Sequence, residues 1–180
     1  MNIFNRLAAL FPVLHILLVG FSFYHLILNL NFASLALLIF SIYLFPPLCF
    51  RIVNLIFPIK EGTSDIFKKE ISPWWVSHQI QALYNTLPFV ESLLRLIPGC
   101  YSLWLRLWGN KIGKDIYWTP GTHIYDRILL DIGNNVLFGE RSIVVSHVIT
   151  PKGSKGLLFV RGIKLENRSF IGAGSAIGPG

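Results

Sequence analysis

The chain has 180 residues, enough for one domain or for a small domain with a membrane anchor. Apolar residues make up 53% and charged residues only 14%, well below the soluble average, and the formal net charge is +7. That positive balance comes without the basic-aromatic groove pattern, zinc spacing or helix-turn-helix spacing of a nucleic-acid binder.

From Leu7 to Phe50 there is no Asp, Glu, Lys or Arg. The run is long enough for two spans of about 20 residues each. Asn29-Leu30-Asn31 is the turn between them, which predicts one helix over Leu7 to Leu28 and a second over Phe32 to Phe57. Pro46-Pro47 is expected to kink or break the second helix near its end. A cleaved signal peptide fits poorly: the apolar region is too long and no small-residue cleavage site follows it. Residues 1–58 therefore read as a transmembrane helical hairpin. Arg6 precedes it, Arg51, Lys60, Lys68 and Lys69 follow it, and the turn carries no cation. The positive-inside rule then puts both termini on the cytoplasmic side of a cytoplasmic membrane. His15 and His25 fall inside the spans, where an ionisable group is either functional or packed neutral between helices. Cys49 and Cys100 offer no disulfide framework, which agrees with a reducing compartment.

Residues 59–110 differ in kind. Glu61 to Ser72 is polar and of mixed charge, and reads as a linker. Three apolar-faced segments follow: one from Pro73 through Trp74-Trp75 to Tyr84, one from Pro88 to Pro98, and one from Tyr101 to Trp108. Trp and Tyr favour the headgroup region, so these segments are expected to lie on the cytoplasmic leaflet as interfacial helices. The alternative is ordinary core helices of a globular domain.

From Ile112 onward an aliphatic or aromatic residue returns every sixth position: Ile112, Trp118, Ile124, then Ile132, Phe138, Val144, then Phe159, Leu165, Ile171, Ile177. No helix has this period, and an ordinary strand has period two. It predicts a parallel β-solenoid over residues 111–180, with one short strand per flat face. Three hexads would make a triangular coil: Ile112 to Arg127 begins the first, Ile132 to Ile149 forms the second, Phe159 to Ala176 the third. The residue opening each hexad and the one four places on, Val148 among them, are expected to point inward. Gly after the opening residue, as in Ile132-Gly133 and Ile171-Gly172, is expected to ease the corner turn. Gly172-Ala173-Gly174 reads first as such a corner and second as a phosphate cradle. The beat is broken twice, by two extra residues after the Ile124 hexad and by a nine-residue insertion after Ile149. The sequence stops at Gly180 inside a hexad, so further coils or a covering neighbour are expected.

His147 stands out. It is expected to lie outward beside a corner, just before the insertion Thr150 to Leu158. An imidazole there could take a proton from a hydroxyl or amine near neutral pH; a solvated surface His is the plain alternative. Residues Trp108-Gly-Asn-Lys-Ile-Gly-Lys, Ile132-Gly-Asn-Asn-Val, Ser146-His147 and Ile171 to Gly180 carry a family likeness. Over Ile112 to Gly180 the chain resembles the left-handed β-helix, hexapeptide-repeat acyltransferases, and especially those joined to membrane helices. The resemblance implies that His147 is the general base. It also implies an acyl-coenzyme A or acyl-carrier-protein thioester as donor, and a homotrimer. Lys152, Lys155, Arg161 and Lys164, with Gly172 and Ala173, are the candidate donor-binding residues. Asp126, Asp131 and Glu140 are candidates to orient the imidazole, and spacing does not choose among them. His123 and His147 are too few for a zinc site of three His ligands.

The fold class that follows is α+β: a transmembrane hairpin and interfacial helices, then a left-handed parallel β-helix. The expected function is transfer of an acyl group, acetyl by resemblance, to a lipid or a lipid-linked glycan or peptide. The alternative is a non-catalytic β-solenoid that scaffolds or assembles a membrane-bound biosynthetic complex.

Overall fold

A computed structural model describes residues 3–68 and 70–180. Met1, Asn2 and Lys69, the last of these counted above among the flanking cations, lie outside the described residues. The chain is α+β and divides into two compact units, one within 1–59 and 69–83, the other within 60–68 and 84–180.

The first unit is helical. The expected first helix is interrupted: α1 spans Ile3–Ala8 and α2 spans Phe11–Leu28, with Pro12 in the first turn of α2. A proline there has no N–H for the preceding turn, so the chain restarts. The second helix is α3 (Phe32–Ile39), a π-helical turn (Phe40–Leu44) and α4 (Phe45–Ile56). Pro46-Pro47 acts at the first turn of α4 rather than near the end of the span. The Phe45 N–H bonds the Phe40 carbonyl, one residue further back than in an α-helix, and Pro46 has no N–H to offer. The Ser41 carbonyl is thereby released from the helix ladder, and His15 Nε2 donates to it at 2.9 Å. Ser22 and Ser41 join their hydroxyls at 2.7 Å, and His25 Nδ1 lies 3.0 Å from Ser34 Oγ. Polar groups thus pair between the two apolar stretches. Ile3–Leu28 and Phe32–Ile56 are long and apolar enough to cross a bilayer. The helix α5 (Pro73–Thr86) is joined to α1 at Asn5, whose carbonyl accepts from Trp75 Nε1 at 3.1 Å, while its side chain accepts from Ser72 N and donates to the Glu70 carbonyl just before α5.

In the second unit, α6 (Phe89–Arg95) and α7 (Cys100–Leu107) precede a run of very short strands that recur about every six residues. Three parallel sheets form, each with three strands. They pair β2 (Lys111–Ile112), β5 (Leu130–Ile132) and β10 (Ile163–Leu165); β3 (Tyr117–Trp118), β6 (Leu137–Phe138) and β11 (Phe170–Ile171); β4 (His123–Ile124), β7 (Ile143–Val144) and β12 (Ala176–Ile177). The register stacks the six-residue beat on itself: Ile112 on Ile132 on Leu165, Trp118 on Phe138 on Ile171, Ile124 on Val144 on Ile177. Ile124, Val136, Phe138 and Val144 are buried, and Trp118 stacks on Phe138 at 4.4 Å.

Two expectations for the repeat need correction. Phe159 does not open a third coil, and Val148 does not point inward; Val148 is 44% exposed. Both belong to an antiparallel hairpin, β8 (His147–Lys152) with β9 (Lys155–Val160). The segment read as a linker adds β1 (Gly62–Asp65) to the edge of β9. The hairpin is inserted between β7 and β10 and forms a sheet of its own with β1, so its apolar residues pair across antiparallel strands while β10, β11 and β12 extend the three parallel sheets.

The glycines directly after the beat residues act differently from the expected corner role. Positive φ falls three places after the beat residue, on Asp115, Asn135, Arg141, Arg168 and Gly174. Gly133 and Gly139 have no such φ. A Cβ on Gly133 would lie 2.6 Å from Asn167 N, and one on Gly139 would lie 2.5 Å from Ala173 N. Close approach of the next rung is what excludes a side chain there. An asparagine ladder follows the same corner: Lys114 N donates to Asn134 Oδ1 at 2.8 Å, and Asn134 N donates to Asn167 Oδ1 at 2.7 Å.

Of the tryptophans of 59–110, Trp75 is half-buried and the others are buried. Trp74 is buried in the first unit; Tyr84, Tyr101, Trp104 and Trp108 are buried in the second. Edge-to-face contacts join Tyr84 to Trp104 and Trp108, and Tyr101 to Trp118. The exposed side of α6, α7 and the turn between them is aliphatic and aromatic instead: Phe89, Leu93, Leu96, Ile97 and Leu103.

Candidate functional site

Both breaks in the six-residue beat meet at one place. After β4 the two extra residues make a bulged connection through Leu129, which has φ 59°. This turns Asp126, Arg127 and Ile128 inward, and all three are buried. After β7 the chain leaves the repeat at Ser146-His147 to start the hairpin. His147 Nδ1 lies 2.7 Å from Asp126 Oδ2, and the Ser146 N–H donates to the same oxygen at 2.8 Å. The His147 side chain is 16% exposed, and Asp126 is at 1%. A carboxylate can only accept, so Nδ1 is the protonated nitrogen and the neutral ring carries its lone pair on Nε2. Asp126 Oδ1 is buried without a hydrogen-bond partner among the described residues. The pair therefore has a fixed ring, a fixed tautomer and an orienting acid, the elements of a general base.

Of the three acids that the sequence offered, Asp126 is the one in contact with the ring. Asp131 lies on β5, 3.9 Å from Lys111 Nζ. Glu140 is at an exposed corner, with its carboxylate against Gly121.

The basic candidates separate. Arg161 lies beside the pair through its backbone, its N–H bonding the Ser146 carbonyl at 3.0 Å, while its side chain is exposed. Lys152 and Lys155 face each other at the hairpin tip, five residues along β8 from His147. At strand spacing that is about 17 Å away. Lys164 is on the sheet of β2 and β5 and pairs with Glu166 at 2.8 Å, which raises its pKa. Gly172 and Ala173 form the corner that packs on Gly139. The structure thus gathers Asp126, Ser146, His147 and the Arg161 backbone, and places the other five basic and corner positions elsewhere.

Sequence reading missed a second buried cluster. Glu91 of α6 accepts from Arg95 at 3.1 Å and from the Tyr101 hydroxyl at 3.0 Å through Oε2, and pairs with Arg127 through Oε1. Arg127 also donates to Asn85 Oδ1 at 2.8 Å. Burial, then the Glu91 charge, pushes the Tyr101 phenol well up, so it stays a donor. His123 is held below its ordinary value, first by burial and then by the Arg127 charge. No spacing in the sequence relates Glu91 to Arg127, so no signal marked the cluster in advance. Among the described residues no three His, Cys, Asp or Glu side chains converge as a metal-ligand set.

No family model, curated protein or solved structure matches this chain.

Proposed function

We propose that the protein is a membrane-anchored acyltransferase in which His147 deprotonates a hydroxyl or amine acceptor and Asp126 orients the imidazole. The carrying observation is the 2.7 Å contact between Nδ1 and Oδ2 at a partly open corner. Proton removal by Nε2 lets the acceptor oxygen or nitrogen attack a thioester carbonyl. The carbon–sulfur bond then breaks, the thiolate leaves, and the proton on the imidazolium is passed to it. A backbone N–H of the neighbouring rung would stabilise the oxyanion.

The three stacked parallel sheets support reading the repeat as a left-handed parallel β-helix, the fold of the acyltransferases that the sequence resembles. By that resemblance the donor is an acyl-coenzyme A or acyl-carrier protein, the acyl group acetyl, and the working form a homotrimer. Membrane anchoring is supported by the exposure of the apolar spans: only 11% and 22% of their most apolar windows are buried, far less than in a soluble core helix. The cations flanking the spans favour both termini in the cytoplasm. A lipid or lipid-linked glycan or peptide is then the acceptor that such an anchor would serve.

The test is thiol release from acetyl-coenzyme A by detergent-solubilised protein with membrane-lipid extract. His147→Ala is expected to lower the extract-dependent rate by about 10²-fold or more, the scale for losing a general base. Asp126→Asn is expected to lower kcat while leaving KM near the wild-type value, because it acts through the ring. Equal rates in folded wild type and His147→Ala, with a longer-chain donor also tried, would move the reading to the scaffold.

A further inference from the structure

A cavity of about 510 Å³ opens in the second unit, between the α6–α7 turn and the first rung. Arg95, Ile97, Ser102, Arg106, Lys114 and Trp118 line it. It shares no lining residue with the His147–Asp126 pair. Three of these side chains are cations, and among the described residues the lining holds one carboxylate, Asp115.

Behind the cavity Arg95, its side chain 2% exposed, shares the carboxylate of Glu91 with Arg127. A buried guanidinium that shares its anion is costly unless its other N–H groups find acceptors. Arg95 Nε is also buried with no hydrogen-bond partner among the described residues. A buried donor of that kind calls for an acceptor. Ser102 Oγ accepts from Trp118 Nε1 at 2.8 Å, so its own hydroxyl hydrogen is left to donate. Arg106 is held in place by the carbonyls of Ile112 and Gly113, at 2.9 and 2.6 Å, and Lys114 is exposed at the mouth. This donor set matches a phosphate, whose oxygens only accept.

The rim differs from the floor. Ile97 is 62% exposed, and Leu96 beside it is 72% exposed. A charged floor beneath an open aliphatic rim fits an amphiphile better than a free anion.

We infer that this cavity binds the phosphorylated headgroup of a membrane lipid, with its acyl chains over Leu96 and Ile97. The inference rests on the membrane part of the reading above and is independent of acyl transfer. The full chain, delipidated in non-ionic detergent, would be titrated with dihexanoyl phosphatidic acid and followed by tryptophan emission, Trp118 being on the wall. Lys114→Glu is expected to weaken binding about tenfold or more, the scale for one charge-assisted contact to phosphate. Lys111→Glu reverses the same charge on β2 outside the cavity and is expected to leave binding unchanged. Lys114→Gln, expected to weaken binding severalfold, replaces Lys114→Glu if that variant fails to fold. Inorganic phosphate and dihexanoylglycerol alone are each expected to bind more weakly than the intact lipid.

Equal affinity in wild type and both Lys114 variants would overturn the assignment. So would phosphate binding as tightly as the lipid, which would make the site one for a free anion, or dihexanoylglycerol doing so, which would mean simple partition. Flotation of the wild type with liposomes reads the membrane anchoring separately. Loss of flotation with intact titration would sink the anchoring and leave the cavity's lipid binding standing.

Discussion

Replacing Gly133 by Ala tests the stacking of the rungs with one methyl group. The added Cβ would lie 2.6 Å from Asn167 N and 2.7 Å from Asn167 Oδ1. Ordinary contact needs about 3.5 Å, so the next rung must move by close to an ångström. That displacement stretches the Gly133 N to Leu165 O bond of 2.8 Å and the Asn134 N to Asn167 Oδ1 bond of 2.7 Å. Two weakened hydrogen bonds at about 1 kcal/mol each, with about 1–3 kcal/mol of overpacking, sum to about 3–5 kcal/mol. Gly178→Ala is the control, because a Cβ there meets nothing within 4 Å. Urea unfolding of the full chain in non-ionic detergent, followed by near-ultraviolet circular dichroism, would read both variants. The expected result is a large drop in midpoint for Gly133→Ala at constant slope, and a change within about 0.5 kcal/mol for Gly178→Ala. Equal stability of the two would refute the close-approach account of these glycines.

Glu91→Gln keeps the shape of the buried cluster but leaves Arg95 and Arg127 without their shared anion. A loss of about 3 kcal/mol or more is expected in the same unfolding assay, and a loss below about 1 kcal/mol would mean that water reaches the cluster. His123 gives a pH signature. Its folded pKa is lowered by burial, so the unfolded chain, titrating near 6.5, takes up the proton first as pH falls. The stability tied to neutral His123 is present above about pH 6.5 and is lost as pH falls through the lower folded value. His123→Gln is expected to flatten the stability profile across that window, and an unchanged slope in the variant would count against the assignment.

The two irregularities in the repeat explain why the candidate site was only half legible. His147 could be picked out because it was expected to lie outward beside a corner with an insertion following it. Its partner could not be chosen, since Asp126, Asp131 and Glu140 are all within reach in sequence. The register of β4 on β7 decides, by bringing the bulge after Ile124 against the residue that leaves Val144. The segments of residues 73–108 were only partly legible for a related reason. Amphipathic spacing shows that a helix has an apolar and a polar side, but not which neighbour covers the apolar side. Here Trp74, Tyr84, Tyr101, Trp104 and Trp108 are buried, while Phe89, Leu93, Leu96, Ile97 and Leu103 stay exposed.

Local rules alone determine the apolar spans, the turn at Asn29–Asn31 and the six-residue beat. Each depends only on residues close in the chain, through transfer free energy or strand period. The β8–β9 hairpin with its added strand β1, the Asp126–His147 pair, the Glu91–Arg95–Arg127 cluster and the cationic cavity were decided by tertiary structure. Apart from the hairpin itself, each joins residues about 20 or more positions apart, and no local pattern carries that information.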